Sequence, residues 1–443
     1  MRAIEALWSD RRGNFAVLFA LTAPLLVIIV GMGVDYYVGL SDKSRLDTAA
    51  DAAALAAVNT AKAYYAANSG AQSGTTLQNN ALAAGKAQGA KVFAANVGSV
   101  VLAGSVTPQI TWQPSTNLTF TVNVTWNAQV AAHFGPLVGI SSINIHGDAA
   151  ATTGLPKYLD FYLVVDTSGS MGIPTNAADQ QTLIETNPDN PIEAAAGYKG
   201  GCQFACHFAG YQGFNFTQTN KIPLKLNSVG ASVQALLSTA TDTEIIANQF
   251  RIGIYPFIVK PIVAAPLSSD FSTANTVAGN LANYLDAGTN NSGMGSGGTH
   301  FENLWSGLSS SLQTPGTGLS TSSTLPFIIL ITDGVDNGQT YTNGNFSGST
   351  PQVPTQTFCT NAKAAGYTVA VLLIPYDSIV DPEPIWNDED GVVNSLIANN
   401  QISPAMQKCS SPGYFFSAAT SADINNAMQT IFYQAVQSAR LTQ

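Results

Sequence analysis

Between Phe15 and Val34 the chain reads FAVLFALTAPLLVIIVGMGV without an ionisable side chain. As a helix rising about 1.5 Å per residue, that stretch covers a hydrocarbon core of roughly 30 Å. The run predicts a membrane-spanning helix. A cleaved leader would have a shorter apolar part followed by a small-residue cleavage site, and a core helix rarely starts a chain. Arg2, Arg11 and Arg12 precede the run, whereas Asp35, Asp42, Asp47 and Asp51 follow it. The positive-inside bias therefore puts the first residues in the cytoplasm and nearly all the mass on the other side. Tyr36 and Tyr37 stand at the exit, where amphipathic rings favour the headgroup layer, and Pro24 loosens one turn without preventing insertion. The expected layout begins with residues 1–13 cytoplasmic and 14–39 in the membrane.

A chain of 443 residues is too long for a single ordinary core, so two or three folded units are expected. Charged residues are only 10% of it and the net charge is −10, which argues against nucleic acid phosphates as partners. The four cysteines, Cys202, Cys206, Cys359 and Cys409, form an even set that an oxidising compartment would allow to pair in three ways.

From Arg11 to Ala57 the sequence RRGNFAVLFALTAPLLVIIVGMGVDYYVGLSDKSRLDTAADAAALAA couples the apolar run to Leu46-Asp47-Thr48-Ala49-Ala50-Asp51. That coupling resembles the N-terminal segment of TadG-like proteins of the tight-adherence (Flp) pilus system. The resemblance implies a single-pass protein of a bacterial inner membrane, with most of the chain in the periplasm or envelope. Pseudopilin relatives carry a Gly followed five residues later by Glu. Here Gly13 is followed at that spacing by Leu18, so a retained anchor is expected.

Residues 40–154 read as an Ala-rich helical stalk followed by a small β region. High helix propensity runs from Leu46 to Asn96 with a break over Asn68 to Thr76. Its Ala faces suit packing with partner helices, which would make the protein oligomeric through this part, or a solvated spacer. From Val97 to Thr153 polar and β-branched residues alternate, as in Leu118 to Trp126, which is strand periodicity. The outline is pilin-like. Glycosylation-type triplets at Asn117 and Asn123 read as chance in a Thr-rich region.

Residues 155–443 read as an alternating α/β domain with a doubly wound parallel sheet. Apolar strands are expected at Leu159 to Val165, Phe250 to Phe257, Pro326 to Ile331 and Tyr367 to Ile374. Helices are expected at Leu224 to Leu237, Thr276 to Leu285 and Ala422 to Ala439. The first strand runs into Asp166-Thr167-Ser168-Gly169-Ser170, an Asp-x-Ser-x-Ser loop at the strand end where such sheets bind ligands. Hydroxyls two residues apart on a tight loop suit a hard cation that wants oxygen ligands. Gly297-Gly298-Thr299 and Phe327 to Gly334, a second strand ending in Asp333, follow in order. The set resembles the metal-ion-dependent adhesion site (MIDAS) of von Willebrand factor A (VWFA) domains. The resemblance implies Mg²⁺, or Mn²⁺ or Ca²⁺, held by Ser168, Ser170 and Thr299, with Asp166 and Asp333 acting largely through water. One position would stay open for a partner's carboxylate. Thr241 and Thr243 compete with Thr299, and Asp336 reads as a solvated turn carboxylate or a further ligand.

An insertion over 173–220 reads as loop and holds Cys202, Cys206 and His207. A local disulfide is preferred there, and haem attachment and zinc are the alternatives. A Cys359–Cys409 bridge would staple the last βαβ part. His133, His146 and His300 read as structural. There is no Gly-x-Ser-x-Gly elbow, phosphate loop, His-Glu-x-x-His pair or dinucleotide glycine fingerprint, so no enzyme is expected. The expected task is pilus assembly or adhesion through the metal, with an acidic residue of a pilus or envelope protein as partner. The rivals are a pilin-like anchor with a vestigial scaffold and a metal-dependent hydrolase.

Overall fold

The computed structural model describes residues 12–72, 74–98, 100, 106–113, 119–186, 203, 212–286, 288, 293–342, 345–379 and 389–441. The chain divides into two compact units, Met1–Leu155 and Pro156–Gln443.

In the first unit, helix α1 (Arg12–Asn68) carries the apolar run straight into the Ala-rich stretch without a break. Its first part stands bare: Val17, Leu21, Leu25 and Val30 are each at least 60% exposed, which suits a lipid environment and not a soluble core. Further along, α2 (Gly74–Asn96) folds back on it. Gly85 and Gly89 permit the close approach, because a Cβ at either would lie 2.5 or 3.0 Å from the carbonyl oxygens of Ala57 and Ala53 respectively. Strands β1 (Gln109–Gln113), β2 (Thr119–Ala131) and β3 (Ser142–Gly154) form an antiparallel sheet in that order. Period-two alternation buries Phe120, Val122, Val124, Trp126 and Val130. Val122, Val124, Trp126 and Val130 share one core with Leu46, Ala49, Ala53 and Ala57 of α1. The Ala faces are thus filled by α2 and the sheet of the same chain. The solvated-spacer alternative is overturned, since small side chains let backbones approach closely enough to exclude water.

The second unit is built on a six-stranded sheet whose strands, from edge to edge, are β13 (Phe415–Ser417), β12 (Thr368–Leu373), β7 (Leu325–Thr332), β4 (Leu159–Asp166), β5 (Phe250–Phe257) and β6 (Ala265–Ser268). Strands β4, β5, β7, β12 and β13 pair in parallel. The edge strand β6 runs antiparallel, which the sequence pattern did not signal. Every residue of β4 is buried. Phe161, Leu163 and Val165 enter one core while Tyr162 and Val164 enter the other, so the strand is apolar on both faces and its sequence is a continuous run. Four short strands, β8 (Asp336–Asn337) with β11 (Pro351–Gln352) and β9 (Thr340–Thr342) with β10 (Asn345–Ser347), elaborate the loop after β7.

The flanks of the insertion are helical and not loop: α3 (Ala177–Thr186) buries Leu183, and α4 (Gln212–Thr219) carries the buried Phe214. One anchoring apolar contact on each flank holds a helix that its polar sequence does not announce. Cys202, Cys206 and His207 lie outside the described residues. Helix α5 (Lys225–Thr243) crosses one face of the sheet. Helix α6 (Ser272–Gly279) gives way to a 3₁₀ turn (Leu281–Tyr284) where one longer helix was expected. Helices α7 (Leu304–Leu308), α8 (Thr357–Ala364), α9 (Glu389–Ala398), α10 (Ile402–Cys409) and α11 (Ser421–Leu441) complete the unit. Cys359 of α8 and Cys409 of α10 form a disulfide.

Candidate metal centre

After β4 the chain goes to β5 on one side of it and returns as β7 on the other. The carboxyl ends of β4 and β7 therefore flank the point where the winding reverses, the crevice at which open α/β sheets bind ligands. Asp166 ends β4, and Asp333 follows the last residue of β7.

Beyond Asp166 the backbone stays extended at Ser168 and closes into a 3₁₀ turn over Gly169–Gly172. Asp166 Oδ1 accepts the Ser168 amide at 3.0 Å and the Ser168 hydroxyl at 2.6 Å. The Ser168 and Ser170 hydroxyls lie 3.2 Å apart. Thr332 Oγ1 donates to Asp166 Oδ2 at 2.7 Å and accepts the Gly334 amide at 2.9 Å, so this hydroxyl links the two acidic loops. Asp333 takes an ion pair from Lys225, whose Nζ stands 3.2 Å from Oδ2, and Lys225 Nζ also lies 4.4 Å from the centre of the Tyr376 ring.

Thr299 comes to the same edge through its backbone. Its N–H and C=O exchange 2.9 Å hydrogen bonds with Asn337, and the next residue, His300, donates its amide to Ile258 O at 2.9 Å, just past the end of β5. Gly297 and Gly298 have φ of 91° and 65°, and a Cβ on Gly298 would sit 2.0 Å from Asn337 O. Only glycine fits that approach. Asp286 holds the front of this loop, accepting the Gly288 amide at 2.9 Å, the Gly297 amide at 2.7 Å and the Ser296 hydroxyl. Asp286 donates its own amide to Thr167 O at 3.0 Å, which ties the Thr299 loop to the Asp166 loop. Thr241 and Thr243 are spent on carbonyls of their own helix, Leu237 O at 2.9 Å and Thr239 O at 2.6 Å. Of these three threonines, Thr299 is the one tied to the loop that follows β7.

Asp166, Ser168, Ser170, Thr299 and Asp333 are all buried, none more than 4% exposed. Burial pushes the Asp166 carboxyl up to about 7, the Asp333 carboxylate adds to the rise, and the Ser168 and Thr332 hydrogen bonds oppose it. Asp336 is corrected from a solvated turn carboxylate. It is 2% exposed, and burial, then the charge of Glu302, raises it to about 6. Its carboxylate accepts backbone hydrogen bonds from Thr355 and Phe301. His300 is a satisfied structural histidine, its Nδ1 2.7 Å from Glu302 Oε1 and its Nε2 2.9 Å from Gln339 O.

The donor set suits a hard cation. It is all oxygen, two carboxylates with three hydroxyls, and Asp333 Oδ1 is buried with no hydrogen-bond partner among the described residues. Among those residues no group of three or more His, Cys, Asp or Glu side chains is placed to hold a metal, so any cation here relies on hydroxyls and water as well as carboxylate. Lys225, Thr332 and Asp286 escape sequence reading, because each acts across more than ten residues of chain.

A family model described as Flp pilus-assembly TadE/G-like matches residues 13–71. No curated protein matches the chain. Among solved structures, a mutant of the PilB minor pilin from Streptococcus sanguinis is similar at 10% identity and a TM-score of 0.35, over 76% of this chain and 80% of that one. The von Willebrand factor domain of the type V pili tip protein Mfa5 from Porphyromonas gingivalis is similar at 12% identity and a TM-score of 0.34, over 65% and 97%. Proximal thread matrix protein 1 from the mussel byssus, with a zinc-occupied MIDAS motif, is similar at 14% identity and a TM-score of 0.32, over 63% and 48%. Over residues 13–71 this chain is similar to the TadE/G-like proteins of Flp pilus assembly.

Proposed function

We propose that this chain is a membrane-anchored component of tight-adherence pilus assembly that captures a protein partner through a divalent cation held at the β4–β7 edge. The Phe15–Val34 run anchors it, with the N-terminus cytoplasmic and both folded units beyond the inner membrane. Mg²⁺, with Mn²⁺ or Ca²⁺ as substitutes, is held by Ser168, Ser170 and Thr299, and Asp166 and Asp333 act through water. The remaining coordination position takes an acidic side chain of a pilus or envelope protein. The observation that carries this reading is the buried Asp333 Oδ1, which has no hydrogen-bond partner among the described residues, beside the Asp166–Ser170 loop. A carboxylate oxygen left without a donor in a low-dielectric site is costly unless a cation or ordered water completes it.

Capture of envelope proteins by the full chain, crosslinked in Mg²⁺, should vanish in chelator and in Asp166→Ala with Ser168→Ala. Capture that chelator and the double substitution both leave unchanged would remove the mechanism. One observation favours a second reading, a pilin-like anchor on a vestigial scaffold: Lys225 already neutralises Asp333. A vestigial site would give no thermal stabilisation with Mg²⁺. A working one should give about 2.7 kcal/mol at a hundredfold excess over the dissociation constant.

A further inference from the structure

The turn between β2 and β3 is fastened to α1 at the depth where the apolar run ends. Asp35 Oδ1 accepts the His133 amide at 2.8 Å, and Oδ2 accepts those of Phe134 and Gly135 at 2.8 and 2.7 Å. Asp35 is the first charged residue after the run. One turn earlier on the same helix face, the Phe134 side chain lies against Gly31, where a Cβ would fall 2.5 Å from Phe134 Cγ. Gly31 is inside the apolar run, about 6 Å deeper than Asp35 along the axis. The loop is therefore held alongside the last turn of the run and does not stand clear of it.

What the turn presents there is apolar. The 3₁₀ turn Gly135–Val138 is closed by amide bonds from Gly139 to Pro136 O at 3.2 Å and from Ile140 to Gly135 O at 2.9 Å, with Gly139 at φ 83°. On this fixed frame Leu137 is 64% exposed, and Val138 and Ile140 are each 45% exposed. No charged residue occurs from Phe134 to Ile143. Tyr36 and Tyr37, 70% and 71% exposed, lie just past the end of the run, a position suited to rings in the headgroup layer. Three large apolar side chains held outward beside an apolar helix end have the chemistry of an interfacial anchor.

We propose that the Gly135–Ile140 turn is a second membrane contact, sinking Leu137, Val138 and Ile140 into the leaflet from which α1 emerges. It would hold the N-terminal unit close against the bilayer in place of leaving it free on a single helix. This rests on the reading that the Phe15–Val34 run crosses the membrane.

The test uses the full chain in phosphatidylcholine vesicles, with or without bromine on the acyl chains. Leu137→Trp places a fluorophore on the turn. Thr152→Trp, exposed on β3 about 30 Å along the strand from the turn, is the control. The wild-type signal from its five tryptophans is subtracted. The added emission at position 137 should be mostly lost in brominated vesicles and that at position 152 retained. Equal emission from both, as water or a second copy of the chain over the turn would give, overturns the proposal. Alkaline carbonate extraction separates the two failures. A chain that stays in the pellet with no quenching at 137 refutes only the turn, and a chain released to the supernatant refutes the spanning helix as well.

Discussion

Lys225→Met should lower the stability of the α/β unit by about 3 to 5 kcal/mol in chelator, and saturating Mg²⁺ should restore most of the loss. The Lys225 and Asp333 side chains are only 4% and 0% exposed, and Asp166 beside them is fully buried. Without the ammonium, Asp333 is a buried charge with no compensating partner and a second carboxylate nearby. Removing one member of such a pair costs more than the pair itself contributes, because the survivor keeps its desolvation penalty. Methionine retains most of the length of the side chain and its packing on Tyr376, so the loss isolates the charge. A divalent cation would supply the missing positive charge from the other side of the carboxylates, so the substituted chain should bind Mg²⁺ more tightly than the wild type. Urea titration of the α/β transition in chelator and in Mg²⁺ reads both effects. An equal loss in the two conditions would mean that Lys225 and the cation do not share a site.

Breaking the Cys359–Cys409 disulfide should destabilise the same unit by about 4 kcal/mol, the loop-entropy value for a separation of 50 residues. The bridge joins α8 to α10 on the face of the sheet that holds Tyr162 and Val164, and both cysteines are at most 2% exposed. The closed loop takes in β12 and α9, so the unfolded chain gains much freedom when it opens. Cys359→Ser with Cys409→Ser, unfolded in urea beside the wild type, should show the midpoint fall. An unchanged midpoint would contradict the entropy argument.

The parts of the fold legible in sequence are those fixed by local chemistry. β4, β5, β7 and β12 announce themselves because strands buried on both faces must be continuously apolar, and the observed Phe250–Phe257 strand coincides with the expected one. The Asp166-to-Ser170 loop and Asp333 are legible because each sits at the end of such a strand. β6 was not, since Ala-Pro-Leu-Ser carries no strand signal and is recruited by pairing with β5. Asp336 was misread because turn carboxylates are usually wet. The backbone groups that meet its carboxylate, those of Thr355 and Phe301, are both more than ten residues away. Lys225 is the clearest omission: a lysine opening a helix reads as solvated, and the Asp333 that buries it is 108 residues away. The Ala-rich helix was legible as a helix but not in its packing, because a small-residue face fits a partner chain or its own neighbours equally well until α2 and the sheet are seen to fill it.

The most direct measurement is Mn²⁺ titration of the full chain at pH 8, above the raised value of Asp166, with free Mn²⁺ read by electron paramagnetic resonance. The account predicts one tightly held ion per wild-type chain, displaced by Mg²⁺ and lost in Asp166→Ala with Ser168→Ala. A wild-type chain that holds no ion, or a double variant that holds it equally well, would contradict a cation centre at the β4–β7 edge.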